Sequence, residues 1–107
     1  MELEHVMKAL GEPMRLRIYQ CLLTRKHCIR SLSKKLGISE SAVSQHMKVM
    51  READLVYSEK HGYHTHYIPV QETIDCLSEI FIQMQKQSAN LDRTMSVCQC
   101  EFKTEEK

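Results

Sequence analysis

Five stretches of apolar residues at helical spacing, a Gly-Ile-Ser break between the third and fourth, and a period-2 stretch before the last lie within 107 residues. Together they predict a mainly α domain with a small β-hairpin wing, a winged helix-turn-helix.

The first stretch holds Leu3, Val6, Met7 and Leu10 and stops at Gly11. Pro13 suits the first turn of a second helix, where its missing N–H costs nothing. That helix carries Leu16, Tyr19, Leu22 and Leu23, flanked by Ile18, and fades in Thr24-Arg25-Lys26-His27. A short helix is expected over Ile29 to Leu36, with Leu32 and Leu36 four apart and Gly37 able to take a left-handed backbone after it. Ser39 is a good N-cap for a helix to about Ala53, with Glu40 favourable in its first turn. Residues 55–60 and 63–68 read as strands around a turn at His61-Gly62. A long helix from about Val70 to Asn90 bears the stripe Ile74, Leu77, Phe81 and Met84. The expected organisation is one domain over residues 1–91 and a polar, cysteine-containing tail over 92–107.

No apolar run reaches the 18 or more residues of a spanning helix. The N-terminus lacks a basic region followed by a long apolar stretch, which places the expected location in the cytoplasm. Five cysteines, an odd number, then read as thiols rather than a disulfide framework. Net charge is +1, but its distribution is uneven. Arg25 to Lys60 carries eight basic and four acidic residues, whereas His61 to Leu91 carries one base and three acids. A polyanion is drawn to the first region and repelled by the second.

The helix after Gly37 holds the candidate function. With Val43, Met47 and Met50 turned to the core, 100° per residue places Ser41, Gln45, Lys48 and Glu52 outward, with Ser44 on the flank. Gln can pair with adenine in a bidentate manner, Ser can serve donor or acceptor edges, and Lys can reach guanine or phosphate. Ser39 and His46 complete the candidate DNA-facing set on this helix. Upstream, Ser31, Ser33, Lys34 and Lys35 are candidate phosphate contacts, and Lys60 and His61 at the hairpin tip are candidates for the flanking backbone.

The stretch Gly37-Ile-Ser-Glu-Ser-Ala-Val-Ser-Gln-His-Met-Lys-Val-Met-Arg-Glu-Ala-Asp-Leu-Val56 closely resembles the recognition segment of the ArsR/SmtB family of bacterial repressors. That segment usually runs Ser-x-x-x-Val-Ser-x-His-Leu-x-x-Leu-x-x-Ala-Gly-Leu-Val. Ala9-Leu-Gly-Glu-Pro-Met-Arg-Leu-Arg-Ile18 looks like the family's early motif, so the likeness covers residues about 3 to 70. Met47 and Met50 stand for Leu, and Asp54 for the usual Gly; Asp tolerates a left-handed backbone better than most residues. The resemblance implies a homodimer built from the first and last helices, an inverted-repeat operator in double-stranded DNA, and release when an inducer binds. It also makes His46 a family-typical position.

Zinc-sensing members carry Asp and His ligands on the last helices, where this chain offers Gln71, Thr73, Met84 and Gln87. That site is expected to be absent. Arsenic- and cadmium-sensing members often carry Cys-x-Cys at the start of the short helix; here Cys28 is kept but Arg30 replaces the second. Cys98 and Cys100 in the tail can supply what is missing. Three thiolates from Cys28, Cys98 and Cys100 suit a soft ion, arsenite, cadmium or lead, with zinc also a candidate inducer. The alternative is a thiol-redox or persulfide response between Cys28 and a tail cysteine. Cys21 reads as a packing residue, Cys76 as buried or inert and partly exposed, the Met stripe as core, and His64 and His66 as solvated or phosphate-contacting groups.

An enzyme is disfavoured, since there is no Gly-rich phosphate loop, no His-Glu-x-x-His and no nucleophile elbow. A winged helix used for protein interaction or metal buffering is the competitor of another class, and the outward Ser/Gln/Lys face counts against it.

Overall fold

The computed structural model describes residues 1–96 and 98. The order is α1 (Leu3–Leu10), α2 (Pro13–Leu22), α3 (Ile29–Leu36), α4 (Glu40–Glu52), β1 (Val56–His61), β2 (His64–Pro69) and α5 (Gln71–Ala89). This is the winged helix-turn-helix expected from the sequence, with every element in place.

Local chemistry accounts for the boundaries. Pro13 opens α2 behind Glu12, whose carboxylate accepts the Arg15 amide at 2.8 Å. Gly37 ends α3 at φ 70, a left-handed backbone that costs glycine nothing. Ser39 then caps α4, its hydroxyl accepting the Ala42 amide at 3.0 Å. Asp54 sits at φ 61, the left-handed position anticipated there. The hairpin is a two-residue turn of Gly62 and Tyr63, one residue later than expected, because His61 and His64 pair across it. Gly62, at φ 62, takes the first central position, where a type II′ turn requires glycine.

The core gathers Val6, Ile18, Leu32, Val43, Met47, Met50, Leu55 and Val56, all essentially inaccessible. The methionines of α4 are thus packing residues, as their spacing implied. Two long-range ties position the wing and α5 against this core. The Tyr67 amide donates to the His27 carbonyl at 3.3 Å, so β2 is stitched to the segment leading into α3. The Thr73 hydroxyl donates to the Asp54 carbonyl at 2.6 Å, which pins the start of α5 to the end of α4. No described helix is long and apolar enough to cross a membrane.

The strain at Asp54 is testable. Asp54→Gly should hold or raise the urea midpoint, whereas Asp54→Val should lower stability by about 1–2 kcal/mol, the cost of a left-handed backbone for a side chain without local hydrogen bonding. A Val variant as stable as the parent would show that the turn relaxes freely.

Candidate nucleic-acid interface

α3 and α4 form the helix-turn-helix, and the outer side of α4 is concave rather than flat. Ser41, Ser44, Gln45 and Lys48 line one shallow hollow of about 300 Å³ with Arg51 and Tyr67. The structure therefore brings together four of the α4 residues singled out from the sequence, whereas Glu52, expected outward beside them, lines a separate hollow with Val49 and Ala53. It adds Arg51, which sequence reasoning missed although it continues the Ser44–Lys48 row at helical spacing. Tyr67 comes from β2, and no local pattern points to it. A hollow lined by hydroxyls, one amide and two cations offers donors for base edges and phosphates.

Other candidates are placed differently. The Ser33 hydroxyl donates to the Ile38 carbonyl at 2.5 Å, inside the turn. The Ser31 hydroxyl donates to the Cys28 carbonyl at 3.1 Å and lies 2.9 Å from His27 Nδ1. Both hydroxyls are engaged internally, so their contribution is to the shape of the helix-turn-helix. Ser39 is occupied as the α4 cap. His46 turns away from the hollow: Arg15 Nη1 donates to its Nδ1 at 3.3 Å, tying α4 to α2. Lys34 and Lys35 are exposed near the end of α3. At the wing, His61 Nε2 donates to Glu59 at 2.7 Å, and Lys26 lies 3.5 Å from the same carboxylate oxygen. The His61 hydrogen bond, helped by the Lys26 charge, holds the Glu59 carboxyl below its ordinary range. Lys60 remains exposed beside it.

His27, buried at the foot of the wing, has an Nε2 with no partner among the described residues. Burial, then the charges of Lys35 and Arg25 and the neighbouring His66, holds its imidazole below the usual histidine value. Next to it, Cys28 precedes α3 at the N-cap position. The backbone N–H of Ser31 faces the sulfur without closing a cap hydrogen bond and favours the thiolate, against a smaller upward push from burial. Cys21 is half-buried against the core, whereas Cys76 is exposed, so only the former packs. Cys98 is exposed and disulfide-bonded. Cys100, the third thiol expected in a soft-ion site, lies outside the described residues. Among the described residues no three of His, Cys, Asp and Glu stand together as a metal centre.

A family model described as bacterial regulatory protein, arsR family, matches residues 12–58, the span from the α2 cap to the wing. Over that span the chain is similar to the ArsR family. The transcriptional repressor SmtB homolog of Synechocystis is 34% identical over 59 residues, covering 55% of this chain and 45% of that protein. Among solved structures, reduced HlyU from Vibrio cholerae superposes with a TM-score of 0.64 at 27% identity, covering 77% of this chain and 86% of that one. The homodimeric winged helix-turn-helix DNA-binding domain Mb0332 from Mycobacterium bovis gives a TM-score of 0.66 at 17% identity, over 87% of this chain and 86% of that one, a likeness of fold alone. The chain spans 45–65% of the length of the curated relatives it matches.

The burial of His27 has a pH consequence. Its neutral form is favoured in the fold, so its contribution to stability is complete above about pH 6.5, the unfolded value. That contribution is lost as the pH falls from there through the lower folded value. Urea unfolding at pH 7.5 and 5.5 should show a smaller loss for His27→Gln than for the parent; equal losses would place the acid sensitivity elsewhere.

Proposed function

We propose that this chain is a homodimeric transcriptional repressor that reads an inverted-repeat operator with α4 and releases it through its cysteine thiols. The observation that carries the reading is the hollow on α4. Ser41, Ser44, Gln45, Lys48 and Arg51 converge on the side of that helix which faces away from the core. A major groove about 12 Å wide admits one such helix.

Dimerisation is supported by what the single chain leaves uncovered. Of α5, only Thr73 and Leu77 are buried, while Phe81 is 49% and Met84 52% exposed on the same helix, with Ile82 beside them. On α1, Met7 is likewise exposed. A second copy covering α1 and α5 removes this apolar surface from water and sets two recognition helices against half-sites about 34 Å apart.

The thiol chemistry has two readings. In the first, reduced Cys28, Cys98 and Cys100 hold a soft ion such as arsenite, cadmium or lead, with zinc a harder fourth candidate. The donor set fits in kind, since the Cys28 environment favours thiolate, and it requires the Cys98 disulfide to be reduced. In the second, the disulfide at Cys98 is itself the signal, and oxidation of the tail sets operator affinity. Cytoplasmic location accords with thiols used in this way.

Fluorescence anisotropy on DNA from the protein's own promoter region tests the whole reading. Binding by the reduced protein, with release by one soft ion or by an oxidant, supports the repressor and chooses its sensor. Absence of specific binding favours a winged helix used for protein interaction. Gln45→Ala should cost about 1–3 kcal/mol on the specific site and little on random DNA; equal losses would remove Gln45 from base readout. Replacing Cys98 and Cys100 by Ser should leave DNA binding intact and abolish release, and persistence of release would discard the tail as sensor.

A further inference from the structure

We propose that the hollow between α1, α2 and α4, on a flank of α4 next to the DNA-facing hollow, is a binding site for a small aromatic carboxylate. It encloses about 340 Å³, within the range of small-molecule sites. Its floor is made of small side chains: Ala9 and Ala53 are 1% and 5% exposed, and Val49 forms one wall. Two alanines meeting where three helices converge leave room for a flat apolar body.

The polar rim supplies the other half of the recognition. Among the residues lining the hollow, Lys8 and Arg15 stand against Glu52, with His5 at the edge; the Glu12 carboxylate lies behind them, 4.0 Å from His46 Nδ1 and bonded to the Arg15 backbone amide. Arg15 is held in place before any ligand arrives. Its Nε donates to the Ala9 carbonyl at 2.7 Å and its Nη1 to His46 Nδ1 at 3.3 Å. Nη2 has no hydrogen-bond partner among the described residues. A guanidinium fixed on two sides with its remaining donors free is preorganised for a carboxylate, which it recognises by charge and planarity.

The site stays open when α1 is covered. At about 100° per residue, His5 and Lys8 lie roughly 160° and 100° around the helix from the exposed Met7. The apolar flank that calls for a partner is therefore not the flank that borders the hollow. Occupancy is also felt at the recognition helix, because the same guanidinium holds His46 of α4. The site is separate from the thiols and does not depend on the DNA-binding reading.

The test is ¹⁵N-detected NMR titration of the intact chain with benzoate, phenylacetate and indole-3-acetate, with benzamide as the neutral control. At least one carboxylate should give saturable shifts at residues 5–9, 15 and 49–53, half-saturating at or below about 1 mM, together with a shift of the His46 ring nitrogens. Benzamide should not. Lys8→Gln should weaken binding about 3- to 5-fold, the range of an exposed ion pair, and Val49→Phe, which fills the hollow from its exposed wall, should abolish it without unfolding the chain. No saturable shift with any of the three carboxylates, equal binding of benzamide, or binding untouched by Val49→Phe in a folded chain would each overturn the proposal. These readouts need no DNA, so failure here and failure of the repressor reading are separable.

Discussion

Everything that could read DNA here depends on a turn of three residues, Ala53 to Leu55. α4 ends there, the backbone passes through the left-handed region at Asp54, and Leu55 drops into the core with no exposed surface. The Leu55 amide donates back to the Met50 carbonyl at 2.9 Å, and its own carbonyl accepts the Val70 amide at 2.9 Å. The Asp54 carbonyl takes the Thr73 hydroxyl. One short segment thereby satisfies polar groups from α4, from the end of the hairpin and from α5, groups that would be costly to bury unpaired. The orientation of the wing relative to the recognition helix follows from that knot.

The same knot explains the division of labour in α5. Its first turns are spent on Thr73 and Leu77, which close the core, and the remaining turns project away from it. A helix of nineteen residues with so little of itself buried is not stabilised by this chain's own packing, since helix propensity alone holds such a segment only marginally in water. In the proposed dimer the exposed Phe81 and Met84 become half of a contact. The cores of small domains bury a limited share of their surface, and covering α5 raises that share.

Much of this was legible because it is local. Gly37, Ser39, Pro13 and Asp54 each act within four residues of themselves, and periodicity alone separated the buried side of α4 from its outward one. What stayed hidden required contacts across the fold. The hydroxyls of Ser31 and Ser33 read as phosphate ligands because a sequence shows their supply and not their competing partners, Cys28, His27 and Ile38, which reach them first. His46 sat in the recognition segment, yet Arg15, 31 residues away, claims its ring. Tyr67 joined the hollow only through strand pairing. The hairpin turn moved by one residue because Gly62 is more useful at the first central position of a tight turn than at the second, and His61 then pairs with His64.

These competing partners bear on how a signal at the thiols could reach α4. Cys28 has the His27–Tyr67 pairing immediately before it and the first turn of α3 immediately after it. Its sulfur lies where the Ser31 amide favours negative charge, and the Ser31 hydroxyl bonds both the Cys28 carbonyl and the His27 ring. Under the proposed thiol response, a new bond to that sulfur acts on these groups, and α3, at eight residues, has little length in which to absorb a displacement. The Gly37 turn then carries it to α4. Coupling by a rigid short helix between a thiol and a recognition helix needs no change in the core, only two positions of α3 differing in free energy by a few kcal/mol, which one ligand with unequal affinity for them can select.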